Sequence, residues 1–331
     1  MTGVEPHHKD PREDLRTLLR GRLVAAALTP FHRDGTVARG AVAAYAEALR
    51  DGGSAAIAVG AHTGRGAHLG QADLSWLVRE FGSASTLPIV AGVGPGPDRS
   101  SADLVPLAAG LRDAGATAFL VAPPRGASLA EIVRLHERLG SEVGLPLLAF
   151  VLYDRASGCQ YDRDTVAELL ALPWVCGVKL ALLDDAMECQ DILDRAREVA
   201  PDALLLTGED RMYGPSLMWG AEAGLLGLAA ALPDWSAAVI DAWKRPDLAT
   251  FVAASARADA LARLTFRAPM EAYVQRMAWV AAWQGILPDA VAFDPFGPYA
   301  KGPYAKSRPT SDRADLVAAL TALSRDHDRD R

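Results

Sequence analysis

The sequence predicts an α/β protein, a (β/α)8 TIM barrel with a C-terminal helical subdomain, from three features of its apolar pattern. Eight short apolar runs typical of buried strands recur about every thirty residues. Amphipathic segments with helical spacing, such as "DTVAELLAL", lie between them. After residue 233 only helical patterns follow. An open doubly wound sheet is the alternative, and it is disfavoured because no G-x-G-x-x-G follows the first strand.

The predicted strands supply the eight strand–helix units that a closed parallel barrel needs. In order they are "VAAALTP" (24–30), "AAIAVGA" (55–61), "PIVAGVG" (88–94), "ATAFLVAP" (116–123), "PLLAFVLY" (146–153), "CGVKLAL" (176–182), "ALLLTG" (203–208) and "AGLLGLA" (223–229). The chain then divides into an N-terminal tail (1–20), the barrel (21–232), a C-terminal helical region (233–290) and a Pro/Gly-rich and charged tail (291–331). Within that last part, the duplication "GPYAKGPYAK" and the charge run "SRDHDRDR" are expected to be loop or tail.

Composition excludes several classes of protein. The net charge of −7 over 331 residues argues against nucleic acid or an anionic membrane as the main partner. No apolar run is long enough to span a bilayer, and the first twenty residues are too charged for a signal peptide, so we expect a cytoplasmic protein. Three cysteines without C-x-x-C spacing suggest neither a zinc site nor a disulfide framework.

Lys179 stands in the strand-like run "WVCGVKLALL", where a charged group is costly to desolvate. Lysine is scarce in this chain, with five copies among 34 basic residues. Burial lowers the pKa of a lysine and leaves a fraction of free amine near neutral pH. A free amine attacks a ketone to form a Schiff base, whose iminium is an electron sink. The alternative is a structural lysine paired with a carboxylate inside the barrel.

Polar residues cluster at the carboxyl ends of the predicted strands, which in a barrel open at one mouth. Tyr153 ends the strand before Lys179, so its phenol should lie beside the lysine and can shuttle protons during imine formation and bond cleavage. A tyrosine at a strand end can also be a packed aromatic residue. The further candidate site residues around this mouth are His62, Thr63, Gly64, Arg125, Arg155 and Gly208.

Seven motifs around this lysine resemble the dihydrodipicolinate synthase and N-acetylneuraminate lyase family in order and spacing. They are "TPF" (29–31), "HTGRGAHL" (62–69), "IVAGVG" (89–94), "APP" (122–124), "LYDRASG" (152–158), "GVK" (177–179) and "TGEDR" (207–211). The resemblance implies a class I aldolase or dehydratase that forms a Schiff base between Lys179 and pyruvate or another 2-oxo acid. It also implies a homotetramer or homodimer, with no metal and no organic cofactor.

The chain departs from the pattern of the family in its proton relay and in its strand-2 motif. In dihydrodipicolinate synthases, the first threonine of G-T-T-G-E and a tyrosine after strand 4 complete a proton relay with the tyrosine after strand 5. Here those positions are His62 and Arg125, and the glutamate of the motif is Arg65. His62 is either a neutral imidazole packed in the mouth or an acid–base group that replaces the missing hydroxyl.

The two loop arginines also have two interpretations, as solvated charges or as carboxylate clamps. Arg155 is favoured as a clamp because a guanidinium fork matches a carboxylate. It follows Tyr153 by two residues, as in the deoxy-keto-glucarate dehydratases of the family.

For the whole chain two hypotheses remain: a Schiff-base lyase acting on a 2-oxo acid, and a catalytically silent paralogue whose barrel binds a metabolite or a protein. The retained Lys179, Tyr153 and Thr63 favour the enzyme, whereas the lost relay residues favour the paralogue.

Overall fold

In the computed structural model, which describes residues 10–159, 161–301 and 309–329, the eight predicted strands form a closed parallel barrel. The strands are β1 (Leu23–Ala26), β2 (Ser54–Val59), β3 (Ile89–Val93), β4 (Ala118–Val121), β5 (Leu147–Leu152), β6 (Val175–Ala181), β7 (Leu204–Thr207) and β8 (Ala223–Leu226). Each strand pairs with its neighbours in the sequence, and β8 pairs with β1 to close the ring. The predicted (β/α)8 fold is confirmed.

The strands are apolar on both faces because one face fills the barrel and the other packs under the helices. In β5, Leu148, Phe150 and Leu152 belong to the cluster inside the barrel. The intervening Leu147, Ala149 and Val151 belong to the cluster shared with the surrounding helices. Phe150 of β5 pairs in register with Lys179 of β6, and the Lys179 Nζ lies 4.2 Å from the centre of the Phe150 ring. The lysine side chain is therefore inside the barrel.

Among the described residues, nine α-helices precede β8. They are α1 (Pro11–Leu19), α2 (Val42–Asp51), α3 (Gln71–Ser85), α4 (Leu104–Asp113), α5 (Leu129–Arg138), α6 (Asp154–Ser157), α7 (Arg163–Leu170), α8 (Ala186–Val199) and, after β7, α9 (Tyr213–Met218), the short α6 standing at the mouth. Side-chain caps fix several starts: Asp162 accepts from the amide of Thr165, and Ser128 forms a capping box with Glu131. Such caps set where each loop at the mouth ends.

The N-terminal segment differs from the tail expected over residues 1–20. Helix α1 begins at Pro11, and its Leu15 and Leu19 are buried with residues of the barrel interior. Arg16 donates to the carbonyl of Cys176, near the start of β6. The helix therefore covers the amino-terminal end of the barrel, opposite the mouth. Its two leucines, four residues apart, are the amphipathic signal that the charged composition of this segment obscures.

The C-terminal part also differs from its prediction at one point. Helices α10 (Pro233–Trp243), α11 (Leu248–Thr265) and α12 (Tyr273–Gln284) form the expected helical region. A further helix, α13 (Pro309–Arg329), occupies most of the segment that we expected to be tail. Leu316 and Leu320 bury one face of it against the rest of the chain, because residues four apart share a helix face. Residues 302–306 of the tandem duplication lie outside the described residues.

No helix in the described part of the chain is long and apolar enough to cross a membrane.

Candidate active site

Lys179 lies near the carboxyl end of β6 with only 5% of its surface exposed. Among the described residues, its ammonium has no hydrogen bond or ion-pair partner, and it lies over the face of the Phe150 ring. Burial lowers the pKa of Lys179 to about 8, and the charges of Asp210 and Glu209 limit that shift. The structure therefore places at the mouth an amine that is partly deprotonated near neutral pH.

Gly208 makes room for this lysine. A Cβ built on Gly208 would overlap the Lys179 Cε and come within 2.8 Å of the carbonyl oxygen of Leu180. The amide of Gly208 also donates to that carbonyl over 2.5 Å, which fixes the backbone beside the lysine. Any larger residue at 208 would push either the reactive side chain or the β6 backbone away.

Two buried carboxylates follow Gly208 and face the same region. Glu209 accepts hydrogen bonds from the amides of Leu182 (2.6 Å) and Leu183 (2.7 Å). Asp210 accepts one from the amide of Leu228 (2.6 Å). Burial raises the pKa of Glu209 to about 7 and that of Asp210 to about 6, although these amide bonds oppose the rise. They balance the charge of Lys179 without contacting it directly.

Tyr153 begins the loop after β5, and its hydroxyl enters a cluster with His62 and Glu271. The phenol donates to the Glu271 Oε1, and its oxygen lies 3.3 Å from the His62 Nε2. The same imidazole nitrogen is 3.3 Å from the Glu271 Oε2. Burial, together with the negative charge of Glu271, raises the pKa of Tyr153 well above its usual range. The phenol is therefore protonated.

Glu271 was not among the residues that the sequence predicted for the site. It stands in a short 3₁₀ turn, Met270–Ala272, just before α12, and reaches back over the mouth of the barrel. Burial alone would raise its pKa, but the hydrogen bonds from His62 and Tyr153 and the charges of His62 and Arg65 lower it to about 2. No pattern at the strand ends identifies such a residue, because it comes from outside the barrel.

The strand-2 loop is likewise tied to the C-terminal region. The Thr63 Oγ1 lies 3.1 Å from the hydroxyl of Tyr273, and both groups are buried. Arg65, where the motif of the family has glutamate, forms a two-pronged ion pair with Asp294 at 2.7 and 3.1 Å. The carbonyl of Gly64 accepts a hydrogen bond from the Thr29 hydroxyl over 2.7 Å. Contacts with the rest of the chain thus hold both the backbone and the side chains of this loop.

A cavity of about 490 Å³ opens beside these groups, on the side of strands β2 to β5. Its wall includes His62, Phe150 and Arg125, and two further arginines, Arg65 and Arg99. None of the described residues in its lining is acidic. Lys179 and Tyr153 are outside this lining, but Phe150 contacts the lysine and His62 contacts the tyrosine, so the cavity adjoins the amine.

The structure brings together some of the predicted site residues and separates others. Lys179 and Gly208 are in contact, and so are Tyr153 and His62. Arg125 lines the cavity, whereas Arg155 lies outside its lining, 68% exposed, with an ion pair to Asp184 over 3.0 Å. In the described part of the chain no group of three or more His, Cys, Asp or Glu side chains is arranged to hold a metal ion.

Comparison with known proteins gives consistent matches. The model of the dihydrodipicolinate synthetase family matches residues 19–310. A 4-hydroxy-tetrahydrodipicolinate synthase of Chlorobium luteolum is 32% identical over 215 residues, which cover 64% of this chain and 70% of that relative.

Solved structures match the fold over nearly the whole chain. A prophage protein of the dihydrodipicolinic acid synthase family from E. coli K12, in complex with pyruvate, has a TM-score of 0.78 at 18% identity, covering 92% of this chain and 98% of its own. The dihydrodipicolinate synthase of Agrobacterium tumefaciens has a TM-score of 0.79 at 17% identity, covering 94% and 100%.

Proposed function

The chain belongs to the dihydrodipicolinate synthetase family, and from this premise we propose that it is a Schiff-base-forming lyase acting on pyruvate or another 2-oxo acid. The single observation that carries the proposal is the state of Lys179. Its amine is buried, unpaired among the described residues and lowered in pKa to about 8. At pH 7 about a tenth of such an amine is unprotonated, several hundred times more than for an ordinary lysine.

In the proposed reaction the free amine of Lys179 attacks the keto carbon and forms a carbinolamine. Its hydroxyl must leave as water, which requires a proton donor beside it. Tyr153 is the donor we propose, because its phenol is protonated and its amide bonds the carbonyl of Ala181, two residues after Lys179. The resulting iminium accepts the electron pair of an adjacent C–H or C–C bond when that bond breaks, and the enamine so formed donates the pair when a new bond forms.

The cavity supports a substrate that carries a second anionic group. Its lining holds three arginines and no acidic residue among those described. Arg65 is already paired with Asp294, and Arg99 donates to three backbone carbonyls. Within the described part of the chain, Arg125 has one hydrogen bond of 3.3 Å, to the carbonyl of Ala156, and so keeps donors for a carboxylate.

The test is to incubate the protein with a panel of 2-oxo acids and borohydride and to measure the intact mass. We expect one stable secondary amine per chain, on the peptide that contains Lys179. The matched variant is Lys179→Arg, which keeps the charge of a structural ion pair but cannot form an imine. We expect it to fold, to form no adduct and to show no turnover. Tyr153→Phe should slow adduct formation by about 10² to 10⁴.

A silent paralogue is the second candidate, favoured by the loss of the relay hydroxyls at His62 and Arg125. It would give no adduct with any 2-oxo acid, and Lys179→Arg would change only stability. Because the relay hydroxyls are absent, we expect weak or no synthase activity from pyruvate and aspartate semialdehyde.

We further propose that the chain forms a homodimer or homotetramer, as the resemblance implies. Light scattering measures the mass of the oligomer.

A further inference from the structure

We propose that Glu271 is a positioning residue that takes the phenolic proton of Tyr153 and returns it during Schiff-base chemistry at Lys179. This role presupposes the Schiff-base reaction proposed above and adds to it a group from outside the barrel. The strand ends of this chain lack the hydroxyls of the usual proton relay. The proposal assigns that proton transfer to a residue of the C-terminal region instead.

The geometry makes Glu271 the acceptor of the Tyr153 proton. The phenol donates to one carboxylate oxygen, while the imidazole of His62 sits 3.3 Å from the other. Because its proton points to Glu271, the phenol oxygen presents a lone pair elsewhere, where it can receive a proton from a substrate. A tyrosine held only by apolar neighbours would have no such direction.

The surroundings of Glu271 keep it ionised between turnovers. The Arg65 Nη1 is 3.7 Å from its Oε2, and the Arg65 Nη2 donates to its backbone carbonyl over 3.2 Å. The side chain is still 39% exposed, so it is not sealed from solvent. A carboxylate with these partners accepts a proton only briefly and gives it back readily.

The proton transfer balances in both directions. When the lysine-bound iminium loses a proton from the adjacent carbon, that proton goes to the Tyr153 oxygen and the phenolic proton goes to the Glu271 Oε1. The electrons of the broken C–H bond form the C=C bond of the enamine, and the iminium nitrogen becomes neutral. Return of the proton along the same route regenerates the iminium, or protonates the hydroxyl of the carbinolamine so that it leaves as water.

The experiment measures exchange of the methyl protons of pyruvate for deuterium, which needs the enamine and no second substrate. Glu271→Gln keeps an oxygen near the phenol but cannot hold the proton. We expect it to retain the borohydride adduct within about twofold and to exchange at least about 10² times more slowly. Glu142→Gln is the matched control, since Glu142 is a similarly exposed carboxylate in an ion pair with Arg138. It should exchange at the rate of the parent protein.

A second variant separates proton transfer from structural support. In Glu271→Ala, added formate should restore exchange in proportion to its concentration, whereas chloride at the same ionic strength should not. Exchange by Glu271→Gln within threefold of the parent would overturn the role of Glu271 and leave the proposed function standing. Equal loss of adduct and exchange in both variants, without rescue, would also overturn it. If the parent protein gives neither adduct nor exchange, the proposed function fails first.

Discussion

Four arginines at the mouth of the barrel differ in how many of their N–H donors remain free for a ligand. Arg65 and Arg155 are each committed to a carboxylate, Asp294 and Asp184. Arg99 is committed to the carbonyls of Gly94, Leu69 and Gly66. Only Arg125, among these four, combines a place in the cavity wall with a single weak backbone contact. Binding of an anion by Arg125 would therefore break no existing ion pair.

We therefore expect Arg125→Ala to lower kcat/KM at least about tenfold, or about 1.4 kcal/mol, for a substrate with a second carboxylate. A substrate without that group should be affected far less. Arg155→Ala is the comparison variant and should stay within about threefold, because its guanidinium is exposed and paired. Steady-state kinetics on both variants decide the matter. A large loss at Arg155 with none at Arg125 would restore the clamp that the sequence favours.

The sequence predicts part of this site because strand ends converge at one mouth. From strand order alone, Lys179, Tyr153 and His62 could be expected at the same mouth of the barrel, and the contact between Tyr153 and His62 agrees with that expectation. The position of Arg155 could not be predicted in this way, because it depends on the direction of the short helix α6 that carries it. Glu271 could not either, since its place depends on the course of the chain after α11.

At the level of elements, helix α13 braces the segment that leads to Glu271. Arg276 of α12 is fully buried and donates to the carbonyls of residues 265, 267, 268 and 269. Asp312 of α13 accepts from the Arg276 Nε over 2.8 Å and also pairs with Arg267. The hydroxyl of Tyr299 bonds both Arg276 and Asp312. A charge on the last helix thus compensates the arginine that holds the Glu271 segment.

Asp312→Ala should lower the free energy of unfolding by roughly 3 kcal/mol, because it leaves the buried Arg276 without its carboxylate. The matched control is Asp289→Ala, which removes an ion pair between Arg313 of the same helix and an exposed carboxylate. That change should cost less than about 1 kcal/mol. Urea unfolding measures both. Equal effects of the two variants would show that α13 does not depend on the buried pair.

The apolar pattern of the sequence was enough to predict some secondary-structure elements of this chain and not others. All eight strands were predictable because each is a continuous apolar run enclosed on both faces. Helices α1 and α13 were not, because each hides only two or a few apolar side chains in a charged segment. Their helical state depends on docking against the finished barrel and its helices, which local sequence does not encode.

For the whole molecule, the site makes stability depend on pH. Lys179 has a pKa of about 8 in the folded chain against 10.5 unfolded, so between these values the unfolded chain binds more protons and stability rises with pH. Glu209 and Asp210 act oppositely at lower pH. Their pKa values are raised on folding, so their contribution to stability falls as pH rises from about 4 to 7. The buried site is least favourable to the fold near neutral pH.

We expect the difference in unfolding free energy between the parent protein and Lys179→Met to shift in favour of the parent from pH 8 to pH 10.5. The shift over this range should be on the order of 3 kcal/mol. Denaturant titrations of both proteins across this range measure it. A constant difference would mean that Lys179 is protonated throughout, and the amine proposed for catalysis would then be absent.

The partners of Tyr153, Thr63 and Arg65 are Glu271, Tyr273 and Asp294, and all three lie in one stretch of chain after α11. A single crossover between two genes could therefore exchange all three at once while Lys179 stays in place. Such a hybrid would be constrained by charge. A barrel with the glutamate of the usual motif at position 65, joined to this C-terminal stretch, would bury two carboxylates against each other at Asp294. Position 65 and position 294 must therefore be inherited as a pair, and a search for hybrids can be limited to parents that match there.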